Sequence, residues 1–394
     1  NLMRFTTLSL LIVLIVPSVV FVQQAFAQQI TPNPNPAGNE IWVSTPHISN
    51  DTTFVNNGTI DILSGGTFTN NNTMHNVYQG YVTNEGHLNN KGTLENYEGA
   101  TLFNMSTFEN LAGGTLTNQG NFENTHYMVN LGTLNNTGVW ANGLLTGGEM
   151  ETYGRMINAG TLTNTGKLTI TQQNYSGWTL SNIHGGTLTN KQMLINNAGS
   201  TLLNAGTLNN AVGGKLTNNG TIETGQGTFT NLGTLNGSGH IKGSYTDHGH
   251  TKPGNSVGVM TIDGDYFKVD GTKEIELGGH FHGGDDKSLT EFDWLEVTGN
   301  VELAGALDVL LIDSFELVAG MSFEILKVGG TLTGQYDGLD EGRMVGSFSG
   351  TNLYITYAGG EGSSVTLFSR AVPEPATLLL ALLGLTLLPR RKRR

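Results

Sequence analysis

The chain has 394 residues, a formal net charge of −13, 13% charged residues, 56 Gly, 9 Pro and no Cys. The lack of Cys excludes disulfides, thiolate chemistry and Cys-ligated metals, and the retained Leu, Ile, Val and Phe separate the chain from collagen and from charged disordered segments. Six of the 19 basic residues are Arg4 and the terminal run Arg390, Arg391, Lys392, Arg393 and Arg394, leaving 13 against 32 acids. That balance argues against nucleic acid and anionic lipid as partners and leaves cations and neutral glycans.

Residues 1–27 read as a secretory signal peptide. Met3 is the expected start and Arg4 the charged region. Leu8 to Val22 is the apolar run, and Ala25-Phe26-Ala27 is a small-x-small cleavage site before Gln28. The secretion translocon and signal peptidase are the implied partners. Residues 28–50 follow as a linker and N-terminal cap.

From 51 to 239 the chain repeats itself. Apolar residues recur at Phe54, Ile60, Phe68, Met74, Val82, Leu88, Leu94 and Leu102, mostly six or eight apart, and the rhythm persists to Leu235. Two residues after most of them stands an Asn, as at Asn56, Asn70, Asn76, Asn84, Asn90 and Asn96, within a unit Gly-Thr-Leu-Thr-Asn-x-Gly. Thr-Leu-Thr alternates with the period of a strand, Leu to one side and Thr to the other. Asn followed by Gly favours a turn, so the chain bends every six to eight residues. Strands this short gain stability only by stacking copies about 4.8 Å apart, with Leu buried on Leu.

The expected fold is therefore all-β, a right-handed parallel β-helix or β-solenoid. Asn side chains at a repeated turn position would stack as an amide ladder. Two units per coil give a flattened coil of about 14 residues, and three a triangular one of about 20 to 22; three is favoured, with roughly nine coils between Phe54 and Leu235. The irregular stretches 138–158 and 171–185 carry Trp140, Tyr153, Tyr175 and Trp178 and are expected to bulge as loops. Their aromatics would stack on sugar rings or cover the core at a break in the repeat.

Residues 240–370 form an acidic, β-rich closing segment, with 20 of the 32 acids between Gly239 and Arg370. The text Lys252-Pro253-Gly254-Asn255-Ser256-Val257-Gly258-Val259-Met260-Thr261-Ile262-Asp263-Gly264 resembles the segment that closes autotransporter-type bacterial surface β-helices. The resemblance implies wider, less regular coils that cap the solenoid, with strands at 301–311 and 353–357; there is no room for a C-terminal barrel. His248 and His250, with His280, His282, Asp285 and Asp286, could meet around Zn²⁺ or Cu²⁺ or stand apart as solvated turn residues. Asp263, Asp265 and Asp270 could bind Ca²⁺, although their spacing misses the EF-hand loop. Ser256 lies outside any Gly-x-Ser-x-Gly elbow. Nothing in these residues requires a cofactor.

Residues 371–394 comprise Val372, Pro373, Glu374 and Pro375, an apolar run from Ala376 to Leu388, and the five terminal cations. The run predicts a short transmembrane helix, and the cations hold its far end on the cytoplasmic side. The two prolines oppose helix before it and leave an extended stretch at the membrane surface, open to a processing enzyme. This arrangement resembles the PEP-CTERM sorting signal. The resemblance implies an exosortase as partner, processing near the motif, transient residence in the envelope membrane, and delivery to the cell surface or extracellular matrix with its exopolysaccharide.

Two functions fit. One is a non-enzymatic surface or matrix protein whose Thr and Asn bind exopolysaccharide or other copies of itself. The other is a β-helical polysaccharide lyase or hydrolase, which would need clustered acids and bases on one coil face; residues 28–239 hold only 11 acids, widely scattered.

Overall fold

The computed structural model describes residues 27–49, 53–142, 155–171, 180–284, 286–359 and 364–372. Nearly every strand of the repeat region has four residues, the second and fourth buried, with the first half-buried as in Thr67–Asn70 or exposed as in Tyr81–Asn84. Both the apolar residue and the Asn two places later therefore face inward, as strand alternation requires.

Three strands make one coil, and each joins its own parallel sheet. The first face runs over 13 strands from Glu40–Val43 to Ala306–Leu311, and the third over 13 from Thr53–Asn56 to Leu332–Gly334. The second face has 17 strands and includes Pro46–Ser49. Identical residues stack in register: Thr93, Leu94 and Asn96 lie beside Thr115, Leu116 and Asn118 of the next coil. The repeat along the axis varies from 16 residues, between Asn231 and Asp247, to 28, between Asn136 and Asn164, with 20 common. The coil is thus three-sided, and the flattened 14-residue alternative is excluded.

Extra residues enter at corners. The turn 111–114 adds two residues through Gly113, whose φ of +84° suits only Gly without strain. Where the corner is two residues long, its Gly lies tight against the coil before it. A Cβ on Gly132 would stand 2.2 Å from the carbonyl oxygen of Gly114.

The interior is one continuous column of Leu, Ile, Met and Phe, widened by aromatics. Phe122 stacks on Trp140 with ring centroids 5.0 Å apart, and Phe229, Tyr245 and Tyr266 form a second stack. Trp140 corrects the loop expected over 138–158: it belongs to the strand Val139–Asn142 and is fully buried. It fills the Leu position of the unit, and burying so large a side chain outweighs the departure from consensus. Tyr153, Tyr175 and Trp178 lie outside the described residues.

Beyond residue 239 the same three faces continue. The strand expected over 301–311 is split at Gly305, φ +75°, into Val301–Leu303 on the third face and Ala306–Leu311 on the first. The second face ends differently from the wide coils expected. Ser322–Val328 pairs antiparallel with Ser364–Ala371, which pairs antiparallel with Thr351–Gly359, itself paired antiparallel with Met344–Phe348. Leu353, Ile355, Val365 and Leu367 are completely buried by this turn-back, which covers a free parallel edge with the chain's own end. The only helical turn among the described residues is Lys287–Leu289, and none of their helices is long and apolar enough to cross a membrane. The transmembrane helix expected over 376–388 lies outside the described residues.

Candidate functional site

The sorting and processing residues are described only at their edges. Gln28 opens the strand Gln28–Gln29, which pairs with His47 and Ile48. Val372 is exposed, and its N–H donates to Gly350 O at 3.1 Å. Ala25, Pro373, Glu374, Pro375, Arg390, Arg391, Lys392, Arg393 and Arg394 lie outside the described residues.

The two His pairs are not brought together. His248 Nδ1 is 3.2 Å from Asp270 and His250 Nε2 is 3.1 Å from Glu274, each acid on the following coil. His282 stacks on Trp294 at 4.2 Å instead. Asp263 sits 2.7 Å from His240, while Asp265 accepts from the N–H of Asn300 at 2.7 Å. The three acids proposed for Ca²⁺ are thus spent on different partners. Among the described residues no group of three His, Asp or Glu is placed to hold a metal ion. Ser256 stands exposed in the bend after Pro253.

The polar chemistry of this protein is inside. On the third face an unbroken ladder runs Asn35, Asn56, Asn76, Asn96, Asn118, Asn136, Asn164, Asn190, Asn210, Asn231 and Asp247. Each Nδ2 donates to the next side-chain oxygen at 2.7–2.8 Å. The second amide proton goes to a backbone carbonyl, as from Asn76 to Thr101 O at 2.9 Å and from Asn96 to Asn121 O at 2.9 Å. The bottom acceptor is also filled, since Asn39 Nδ2 donates to Asn35 Oδ1 at 2.6 Å. Every side-chain oxygen in this chain has a donor and every Nδ2 an acceptor, the condition under which buried polar groups stabilise.

The first face proves the direction of donation. There Ile62 and Ile170 replace Asn at the coil below Asn84 and Asn196. The side-chain oxygens of those two Asn are buried without a donor.

Asp247 terminates the long ladder. A carboxylate only accepts, so it ends a chain of donors. Its Oδ1 accepts from Asn231 Nδ2 at 2.7 Å and Gly249 N–H at 3.1 Å. Its Oδ2 accepts from Thr251 Oγ1 at 2.6 Å, Tyr266 OH at 2.9 Å and Lys268 Nζ at 2.9 Å. Neither side chain of the Asp247–Lys268 pair touches solvent. Burial lowers the pKa of Lys268 despite the attraction of Asp247, and burial, then the Asp247 charge, holds the Tyr245 and Tyr266 hydroxyls well above the usual range.

A second group of charges lies one coil on. Lys273, 1% exposed, has no hydrogen-bond partner for its Nζ, and burial pulls its pKa down to about 7. Asp293 is fully buried; its Oδ1 accepts from Gly258 N–H at 2.8 Å and its Oδ2 from Glu276 N–H at 3.0 Å. Burial pushes its pKa up to about 8, with those two N–H bonds pulling the other way. Glu276 accepts from Lys252 on Oε1 at 2.6 Å, whereas its Oε2 is buried and unpartnered.

One sequence signal marked this site. Tyr245-Thr246-Asp247-His248-Gly249 copies Thr-Asn-x-Gly with Asp in place of Asn, and that substitution, not the neighbouring His residues, is the local sign of where the ladder ends. No protein-family model matches the chain, and no curated protein is significantly similar to it.

Proposed function

We propose that this chain is an exported, non-enzymatic structural rod of the cell surface or extracellular matrix. It is delivered through the signal peptide at 1–27 and processed by an exosortase at the signal in 371–394, with transient attachment to the envelope membrane. We take the coil as right-handed, the hand of nearly all parallel crossovers. The proposal rests on the division of labour across each strand. Asn, expected partly on the outside, is consumed inside by the ladders, which stiffen the rod.

The outside is left to Thr. On the third face Thr53, Thr73, Thr93, Thr115, Thr133, Thr161, Thr187, Thr207 and Thr228 stack in one register column. Such a neutral hydroxyl row suits exopolysaccharide or another copy of the rod better than a charged partner.

The test is mass spectrometry of cell-surface and medium fractions for the intact protein and for Glu374→Ala. The expected result is a processed terminus in the first and retention with an unprocessed terminus in the second. An unchanged terminus and location would sink the sorting proposal. Release of products from acidic plant or bacterial glycans would sink the non-enzymatic one.

A further inference from the structure

We propose that the first face of the opening coils, around Trp42, Tyr81 and Phe103, is a binding platform for a neutral, extended polysaccharide whose sugar rings stack on these aromatics. The inference rests on the reading of the chain as a matrix protein and gives that reading a site. Exposed Phe, Tyr or Trp rings are few on this rod. Among the described residues they are Trp42, Tyr78, Tyr81 and Phe281, and the first three belong to the opening coils. Trp42 is 65% exposed, on a strand whose inward residues Ile41 and Val43 already fill the core, so its ring serves nothing inside. A cluster of large exposed apolar side chains marks an interaction surface.

The register sets their spacing. Trp42, Asp61, Thr83 and Phe103 stand beside one another in successive strands of the first face, so Trp42 and Phe103 are about 14 Å apart along the rod. Tyr81 points outward with Thr83 and lies two residues away on the same strand, about 7 Å to one side of that row. At the corner before it, Tyr78 lies over Gly99, where any Cβ would strike the ring, so only Gly lets the next coil seat it. Tyr and Trp side chains have few rotatable bonds and lose little entropy on binding. A flat sheet face with rings set along the rod axis fits an extended chain of flat pyranoses, whose C–H faces stack on the aromatic faces.

Charge decides which chain. The first-face strands from Glu40–Val43 to Val139–Asn142 carry Glu40, Asp61 and Glu123 and no Lys or Arg. Partial burial first, then the charges of Glu123 and Asp61, raise the pKa of the Tyr81 hydroxyl, so it stays a neutral donor with carboxylates nearby. Carboxylates beside a stacking ring accept hydrogen bonds from sugar hydroxyls. A uronic-acid chain would meet like charge there with no cation to answer it. The ligand class is therefore a neutral hexose polymer with equatorial links, because axial links would bend the chain off a flat face.

The experiment titrates cellohexaose, a neutral and extended probe, into the purified full chain, reading the heat of binding and Trp fluorescence, with hexagalacturonate as the anionic comparison. The expected result is saturable binding of cellohexaose, a shift of Trp emission that Trp42→Ala abolishes, and no binding of hexagalacturonate. Trp42→Ala and Tyr81→Ala are each expected to weaken binding about tenfold. Phe281→Ala, which removes an exposed ring away from the platform, leaves binding unchanged. Thermal midpoints of all three variants stay close to wild type, since the rings are exposed. Absence of cellohexaose binding by the wild-type chain overturns the platform, and so does full affinity in the Trp42→Ala, Tyr81→Ala double variant or equal binding of hexagalacturonate. Surface delivery, measured separately, tells the two readings apart. A chain that reaches the surface yet binds no cellohexaose loses the platform and keeps the rod; one that binds it yet is never exported keeps the platform and loses the matrix reading.

Discussion

Asn231 Nδ2 donates to Asp247 Oδ1 at 2.7 Å, and with that bond the longest ladder of the molecule stops. Below it every amide hands a hydrogen bond upward. Above it Lys268 donates downward to the same carboxylate, so two opposed runs of donors meet on one acceptor. The ladder of the rod's regular part thus meets the closing part at the buried Asp247–Lys268 pair, while the three faces run on past it.

Replacing that charge tests the junction. In Asp247→Asn, Lys268 keeps its burial and loses its counter-charge, so stability is expected to fall by about 3–5 kcal/mol. The double variant Asp247→Asn with Lys268→Met is expected to recover much of the loss. Urea unfolding curves measure both, and equal loss in single and double variants would contradict the pairing.

The ladder makes positional predictions within a strand. Asn96→Ala strands the Asn76 donor and the Asn118 acceptor and is expected to cost about 3 kcal/mol, against no more than about 0.5 kcal/mol for Thr93→Ala on the outer face. Ile170→Asn supplies the donor that Asn196 Oδ1 lacks. It is therefore expected to cost about 2 kcal/mol less than Leu168→Asn, two residues away on the same inner side of the strand. Thermal midpoints of the four variants rank them directly.

Two variants separate the titrations of two buried groups, Lys273 and Asp293. In Asp293→Ala, Lys273 keeps its burial, which in the intact chain lowers its pKa from 10.5 to about 7, and loses one charge that raised it, so its folded pKa stays depressed. Between those values the unfolded state binds more protons, so stability rises with pH across about 7 to 10.5. In Lys273→Met, Asp293 keeps the burial that in the intact chain raises its pKa from 3.8 to about 8, and loses a charge that lowered it, so its folded pKa stays raised. There the folded state binds more protons in between, and stability falls as pH rises from about 4 to 8. Melting curves at spaced pH values should show opposite slopes; parallel slopes would refute the assignment.

Corner glycines differ in why they are Gly. Gly132→Ala drives a Cβ onto a backbone oxygen at 2.2 Å that cannot move without shifting the coil below. Gly113→Ala meets nothing within 4 Å and suffers only from φ of +84°. The second is expected to cost about 1 kcal/mol and the first clearly more. Equal denaturation midpoints for the two variants would show that the coils are not stacked as tightly as the Gly114 carbonyl demands.

Much of this protein is set locally by its sequence. The six-to-eight-residue rhythm, the Thr-Leu-Thr alternation and the Gly corners determine short strands, stacked copies and an all-β rod, because each follows from strand period and turn chemistry within a few residues. The side of the coil on which Asn sits was decided elsewhere. Asn before Gly favours a turn on local grounds, yet Asn96 ends a strand facing inward because Asn76 and Asn118, 20 and 22 residues away, satisfy its amide. Trp140 likewise joins the core because Phe122 lies beneath it, and only the stacking of coils makes Asp247 a terminator instead of part of a His-rich turn. The buried Asp293 carboxyl is likewise held by the N–H of Glu276, 17 residues before it. Burial and partnership are non-local quantities: a side chain's neighbours one coil away fix its protonation and its role, and no window of sequence contains them.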